Sequence, residues 1–232
     1  MKRLSFLLSA AIFCSIFLAS VGNVFAVDKS DAQETVDRAE LTFASLMADE
    51  NFAEMRKLAK NAKGIFIAPQ VLKGAFIFGA SGGTGVFLVR GDNGKWSYPA
   101  FYTVGSVSFG LQLGGQASEV ILLAMTDKGV TNMLKDNIKL GADVSIAAGP
   151  ISTGTQGETL SLNADILSFT RSKGIFGGLS LDGAIVGVRE NLNEAYYGKA
   201  VPPEDILINR KASNADADDL RASVMGRIDR AN

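Results

Sequence analysis

The residue most open to a chemical reading is the serine of "GASGG", residues 79–83, a setting one letter from the "GDSGG" that surrounds a serine-protease nucleophile. A serine attacks only when a nearby base takes its proton. The chain contains no histidine, which excludes a Ser-His-Asp triad and a Cys-His pair. Lys63, Lys73 or Lys173 could serve Ser81 in a Ser-Lys dyad, but nothing in their spacing pairs one with it. A nucleotide loop fails as well. Thr84 follows Gly79 at the fifth position and no lysine follows Gly85, so the Walker pattern is absent, and Leu88 stands where a dinucleotide fingerprint needs its third glycine. The expectation is structural: "GAFIF" and "GVFLV" as two strands, with "GASGGTG" the turn between them and Ser81 a turn residue.

Metal chemistry is narrowed in the same way. Cys14, the only cysteine, lies in an N-terminal apolar run, so the usual Cys/His zinc sites cannot form and no D-x-D-x-D-G calcium loop occurs. No cofactor is expected. Catalysis would have to rest on lysine or on carboxylates such as Glu119, Asp165 and Asp182, which are expected to cap turns or face solvent, so no enzymatic activity is expected.

The basic residues carry a pattern. Lys-Gly-apolar-Phe occurs at 63–66, 73–76 and 173–176. On one reading, each lysine guards an apolar strand against aggregation. On the other, the strand starts converge and Lys63, Lys73 and Lys173 form an anion-binding rim with Arg171. The net charge of −1 gives no sign of nucleic-acid binding.

These residues must be held by a chain with a leader. Lys2 and Arg3, an apolar run and "VFA" read as a secretory signal over residues 1–26, cleaved after Ala26; an uncleaved anchor is the alternative. The protein is then exported, periplasmic or secreted, and has no disulfide. A helix is expected over 30–49, with Val36, Ala39, Phe43 and Leu46 on one face and a capping box of Ser30 and Gln33, followed by a short helix over 51–61. From 64 to 125 the period changes to two, with a hairpin turn at Asp92-Asn93-Gly94. Thr126 caps a central helix. Strands follow at "ADVSIAAG", "LSLNADILSFT" and "GIFGGLSLDGAIVGVR", then short helices at 191–198 and 203–208. The fold class is α+β: a curved, glycine-rich, mainly antiparallel sheet or partial barrel with N-terminal, central and C-terminal helices. Residues 27–208 form one domain, and 209–232 a polar tail with a marginal or mobile helix.

The ordered run "AKGIFIAP", "KGAFIFGASGGTGVFLVR", "GKWSYPAFYTVGSVSFGLQLGGQ", "LGADVSIAAGP", "SFTRSKGIFGGLSLDGAIV" and "NEAYYG" resembles the SYLF domain over about residues 36–208. The resemblance implies non-enzymatic binding of phosphoinositides or other anionic phospholipids at a membrane surface. In yeast relatives it also implies actin binding, which is not expected in an export compartment. The alternative is a scaffolding role through protein contacts. The candidate lipid-binding residues are Lys63, Lys73, Arg90, Lys95, Trp96, Arg171 and Lys173, with Trp96 dipping into the interface.

Overall fold

A computed structural model describes residues 29–75, 78–109, 114–149, 164–174 and 181–230. The expected signal and Cys14 lie outside the described residues, as do most of "LSLNA" and the start of "GIFGGLSLDGAIV". Helix α1, Lys29–Ala48, buries Val36, Ala39, Phe43 and Leu46, as their spacing predicts. The capping-box partner Gln33 instead donates its amide to Asp37 and to the Asp216 carbonyl. Asp49 then starts a 3-10 turn by accepting from the Asn51 amide, and α2, Ala53–Ala59, follows.

The strands are β1 (Gly64–Ala75), β2 (Phe78–Val89), β3 (Ala100–Phe109), β4 (Gly114–Ala124), β5 (Asn137–Lys139), β6 (Ile146–Ala148), β7 (Ile166–Gly174) and β8 (Ile185–Val188). They form one sheet in the order β5-β8-β3-β2-β1-β4-β7-β6, antiparallel except for the β6–β7 pair. Helix α3, Asp127–Met133, is capped by Thr126, whose hydroxyl accepts from the Gly129 amide. Helices α4 (Glu190–Tyr197), α5 (Pro203–Leu207) and α6 (Asp218–Asp229) close the chain.

Connectivity forces the sheet to curl. The edge strands β5 and β6 are joined by residues 140–145 alone, a link that reaches about 25 Å when fully extended. Eight strands laid flat would separate those edges by about 34 Å. The sheet therefore bends into a half-barrel. Ile138 of β5 and Leu140 and Val144 of the link join Phe66, Phe87, Tyr102 and Leu122 in an inner core. Helices α3 and α5 contribute Val130, Met133, Ile206 and Leu207 to that core at one end, called here the near end. The outer face packs Ile65, Ile67, Val86, Leu88 and Phe101 against α1, α4 and α6.

Two expectations are corrected. "GASGGTG" is not a turn: β2 runs straight through it, with Ser81 in mid-strand opposite Lys73 and Ser106. Glycines among small residues remain compatible with pairing on both sides, and the run pairs with β1 as far as Ala75 opposite Gly79. The stretch after Ser213 is not a loose tail either, because Leu220, Val224 and Ile228 of α6 are buried in the outer core against α1. A three-residue apolar stripe suffices when a longer helix receives it.

Candidate functional site

The central strand β1 begins beside a cleft of about 920 Å³ at the near end. Lys63 and Arg90 enter it because they flank the β1–β2 ladder: the Arg90 amide donates to the Lys63 carbonyl at 2.8 Å, and the Lys63 amide to Ala124 at 2.8 Å. Turn residues Asp92 and Asn93 form one wall, with Gly94 at φ +76° closing the hairpin. Val89, Val130, Leu134, Leu207 and Ile208 supply an apolar floor.

Arg210 is the third cation of the cleft, and sequence reasoning missed it. It donates to the Lys95 carbonyl across the turn at 2.9 Å, a contact between residues 115 apart that no local pattern announces. Its backbone lies in the left-handed region at φ +54°, the only such non-glycine among the described residues. A bulky residue held there carries strain of order 1 kcal/mol. A Cβ on Gly91 would stand 2.3 Å from the Arg210 guanidinium, so that glycine is what lets the side chain lie over the turn.

The charges of the cleft are not equally engaged. Lys63 is neutralised by Asp127, with Nζ 2.6 Å from Oδ2. The guanidinium contacts of Arg90 and Arg210 go instead to backbone carbonyls, of Lys60 at 2.8 Å and Lys95 at 2.9 Å. Those bonds fix both groups without cancelling their charge. Exposed Lys60 and Lys95 flank them, and the carboxylates of Asp92, Asp127 and Glu204 also line the cleft. The arrangement is an apolar-floored groove with two positioned guanidinium groups, able to hold an anionic group above an apolar one.

The seven candidate residues do not share one site. Lys63 and Arg90 line the cleft, and Lys95 adjoins it. Lys73 stands at the other end of β1, ten residues and about 33 Å of strand away. Lys173, described in its backbone alone, pairs with Ala117 at that same far end. The convergent rim is therefore corrected: β1 runs from Lys63 to Lys73 along its whole length, so the two lysines mark opposite ends of the sheet. Arg171 is withdrawn from any such rim. It bonds Glu119, the Ser45 hydroxyl at 2.9 Å and Asp49 at 3.4 Å, tying β7 and β4 to α1. The Glu119 carboxylate is the main cause that holds its guanidinium above its ordinary pKa. Trp96 is 2% exposed in the outer core, and its carbonyl accepts twice from Arg221. It packs the outer helical layer and cannot reach a membrane without unfolding.

The carboxylates have structural work. Glu119 pairs with Arg171. Asp165 accepts from the Thr126 hydroxyl at 2.7 Å and the Ser145 hydroxyl at 2.8 Å, and faces Lys128 at 3.0 Å. The Thr126 and Ser145 bonds draw its pKa down to about 2. Asp182 is an exposed turn residue lying against Gly141. Ser81 shares a hydrogen bond with Ser106 at 2.8 Å.

The family model of Ysc84, described as "Las17-binding protein actin regulator", matches residues 105–226, just over half of the chain. SH3 domain-containing YSC84-like protein 1 of Bos taurus is 32% identical over 161 residues, covering 68% of this chain and 47% of that protein. The Homo sapiens protein of the same name is 30% identical over the same lengths. Protein YSC84 of Saccharomyces cerevisiae is 28% identical over 165 residues, 69% of this chain and 35% of that protein. The chain thus spans about half the length, or less, of these curated relatives.

Proposed function

Because the chain belongs to the Ysc84/SYLF domain family, we propose that it is a non-catalytic binding domain for anionic phospholipid at a membrane surface, acting through the near-end cleft. The observation that carries this reading is the pair of guanidinium groups, Arg90 and Arg210, bonded to carbonyls above an apolar floor. Lipid phosphate fits the cations, and the first carbons of the lipid fit the floor. We further propose that the protein is exported, and that the membrane is one of a bacterial envelope.

The test is flotation with vesicles of phosphatidylglycerol and phosphatidylcholine against phosphatidylcholine alone. A basic group near an anionic surface contributes about 1 kcal/mol, so the double variant Arg90→Gln/Arg210→Gln is expected to lose about twentyfold to thirtyfold in partitioning. The loss shrinks as salt rises. The control Arg227→Gln/Arg230→Gln, in α6 and at its C-cap, is expected to keep most of the binding. Equal loss in both would mean that overall charge, not the cleft, drives association.

A second reading follows from the family description, which names an actin regulator. Cosedimentation with actin filaments tests it. Pelleting with filaments, together with no recruitment to anionic vesicles, would favour a protein-binding scaffold.

A further inference from the structure

The inner face of the half-barrel changes character along its length. Near the helices its cross-strand rows are apolar, as in Ala100–Phe87–Phe66–Leu122. Toward the far end the row is Ser106–Ser81–Lys73–Gln116, four adjacent strands in direct register and therefore on one face. Beside it, Ser118 and Ser172 face each other across β4 and β7.

The hydroxyls and amide of this rung are wired in two parts, and Lys73 between them is engaged as well. The hydroxyls of Ser81 and Ser106 lie 2.8 Å apart. On the other side of Lys73, the Gln116 amide donates to the Ser118 hydroxyl at 2.9 Å, which in turn meets Ser172 at 2.9 Å. Gln116 is only 3% exposed, and its carbonyl oxygen has no hydrogen-bond partner among the described residues. Turning the amide over would change which atom is unfilled without filling it. A buried polar atom left unmatched costs roughly 1–3 kcal/mol. The apolar rows show that this sheet can fill its interior with Phe, Leu and Val, so the rung maintains polarity at a cost. Lys73, Ser81, Ser106 and Ser172 are only half-buried, so solvent reaches that part of the rung, while the Gln116 carbonyl oxygen behind it is closed off from solvent.

We infer that the rung is a binding site for a phosphate ester that carries a free hydroxyl. Lys73 and the serine hydroxyls take the phosphate oxygens, which need a cation and short donors. As the ligand enters and opens the cover over Gln116, its hydroxyl is accepted by the unfilled Gln116 carbonyl. The ester can be a small soluble molecule or a lipid head group of the same chemistry. The site stands at the opposite end of β1 from the cleft and does not depend on the cleft binding membranes.

The probes are glycerol 3-phosphate by titration calorimetry and phosphatidylglycerol vesicles by flotation, with the full chain. Lys73→Gln and Ser81→Ala are each expected to weaken binding about tenfold. Gln116→Leu is the decisive variant: it is expected to weaken binding about tenfold while leaving the thermal midpoint of the ligand-free protein unchanged or higher, because the unmatched amide is gone. A purely structural Gln116 would instead lower the midpoint. If Gln116→Leu does not fold, Lys73→Gln and Ser81→Ala still decide. Binding of both probes assigns a soluble ester or its lipid form. Binding of vesicles alone, lost in the rung variants but kept on removal of Val107, an exposed control on the outer face (Val107→Ser), assigns the lipid head group. Binding of neither probe, or binding that the rung variants leave intact, overturns the site. Arg90→Gln/Arg210→Gln is expected to leave glycerol 3-phosphate binding unchanged, so failure of the cleft and failure of the rung are read separately.

Discussion

The two halves of the sheet are made by the same strands and obey different rules. In the near half both faces are covered, and Phe66, Phe87, Phe101, Ile121 and Leu122 are all at most 1% exposed. In the far half the same strands carry glycine, alanine and serine, and outward-facing Leu72 and Val107 are 55% and 90% exposed. The near half satisfies the apolar demand of folding, which frees the far half to hold polar groups that contribute little to stability. A single set of strands thus separates the work of cohesion from the work of recognition.

The largest expected effect tests that division. Phe66→Ala should cost about 4 kcal/mol in urea unfolding, through lost burial and a cavity between β1, β2 and β4. Ser81→Ala, on the neighbouring strand in the far half, should stay within about 1 kcal/mol. Equal costs would erase the distinction between the halves.

Glycines sharpen it further. A Cβ on Gly85 would lie 2.4 Å from the Ile67 carbonyl and 2.7 Å from the Phe66 ring. Gly85→Ala is therefore expected to cost about 2–3 kcal/mol. Gly74, in the far half, has nothing within 4 Å of the same position. Gly74→Ala should be neutral or stabilise by up to about 1 kcal/mol, because it restricts the unfolded chain. Matched urea midpoints for the two variants check both.

A smaller effect depends on pH. Asp165 anchors the near half where Thr126, Ser145 and Lys128 meet it, and its folded pKa of about 2 lies below the unfolded value. The unfolded state therefore binds the proton more tightly. The stabilisation is complete above about pH 5, is lost progressively as pH falls through about 2, and amounts to roughly 2 kcal/mol. Asp165→Asn should lower stability at neutral pH and flatten this acid limb in unfolding curves measured between those values. The smallest expected signal is at Ser81. A fluorophosphonate probe is expected to leave it unlabelled, since its hydroxyl is bonded to Ser106. Labelling there would turn the polar rung into a catalytic one and overturn the non-enzymatic reading.

Much of this was legible without coordinates, and the omissions have a common cause. The apolar stripe of α1, the Thr126 cap and the Asp92-Asn93-Gly94 turn are local, and each appears as its residue types require. The glycine run misled because glycine marks both turns and small-residue strands. Only the pairing of Gly82 with Leu72 and Gly105 on either side identifies it as strand. The α6 stripe looked weak because its partner is α1, nearly two hundred residues away in the chain.

The sequence by itself determined what chemistry is closed to this protein. Without histidine, and with its cysteine in the N-terminal apolar run, the histidine-based nucleophile and the usual zinc site cannot form, whatever the fold. It also determined the alternation that gives each strand two faces. Tertiary structure decided which residues meet. The length of β1 sets Lys63 and Lys73 at opposite ends, helix packing buries Trp96, and Glu119 with Asp49 captures Arg171. Strand register brings Lys73 between Ser81 and Gln116, and chain closure brings Arg210 to the turn beside Arg90. Periodicity specifies the face on which a side chain emerges, but neighbours on that face come from other strands, and only pairing and curl select them.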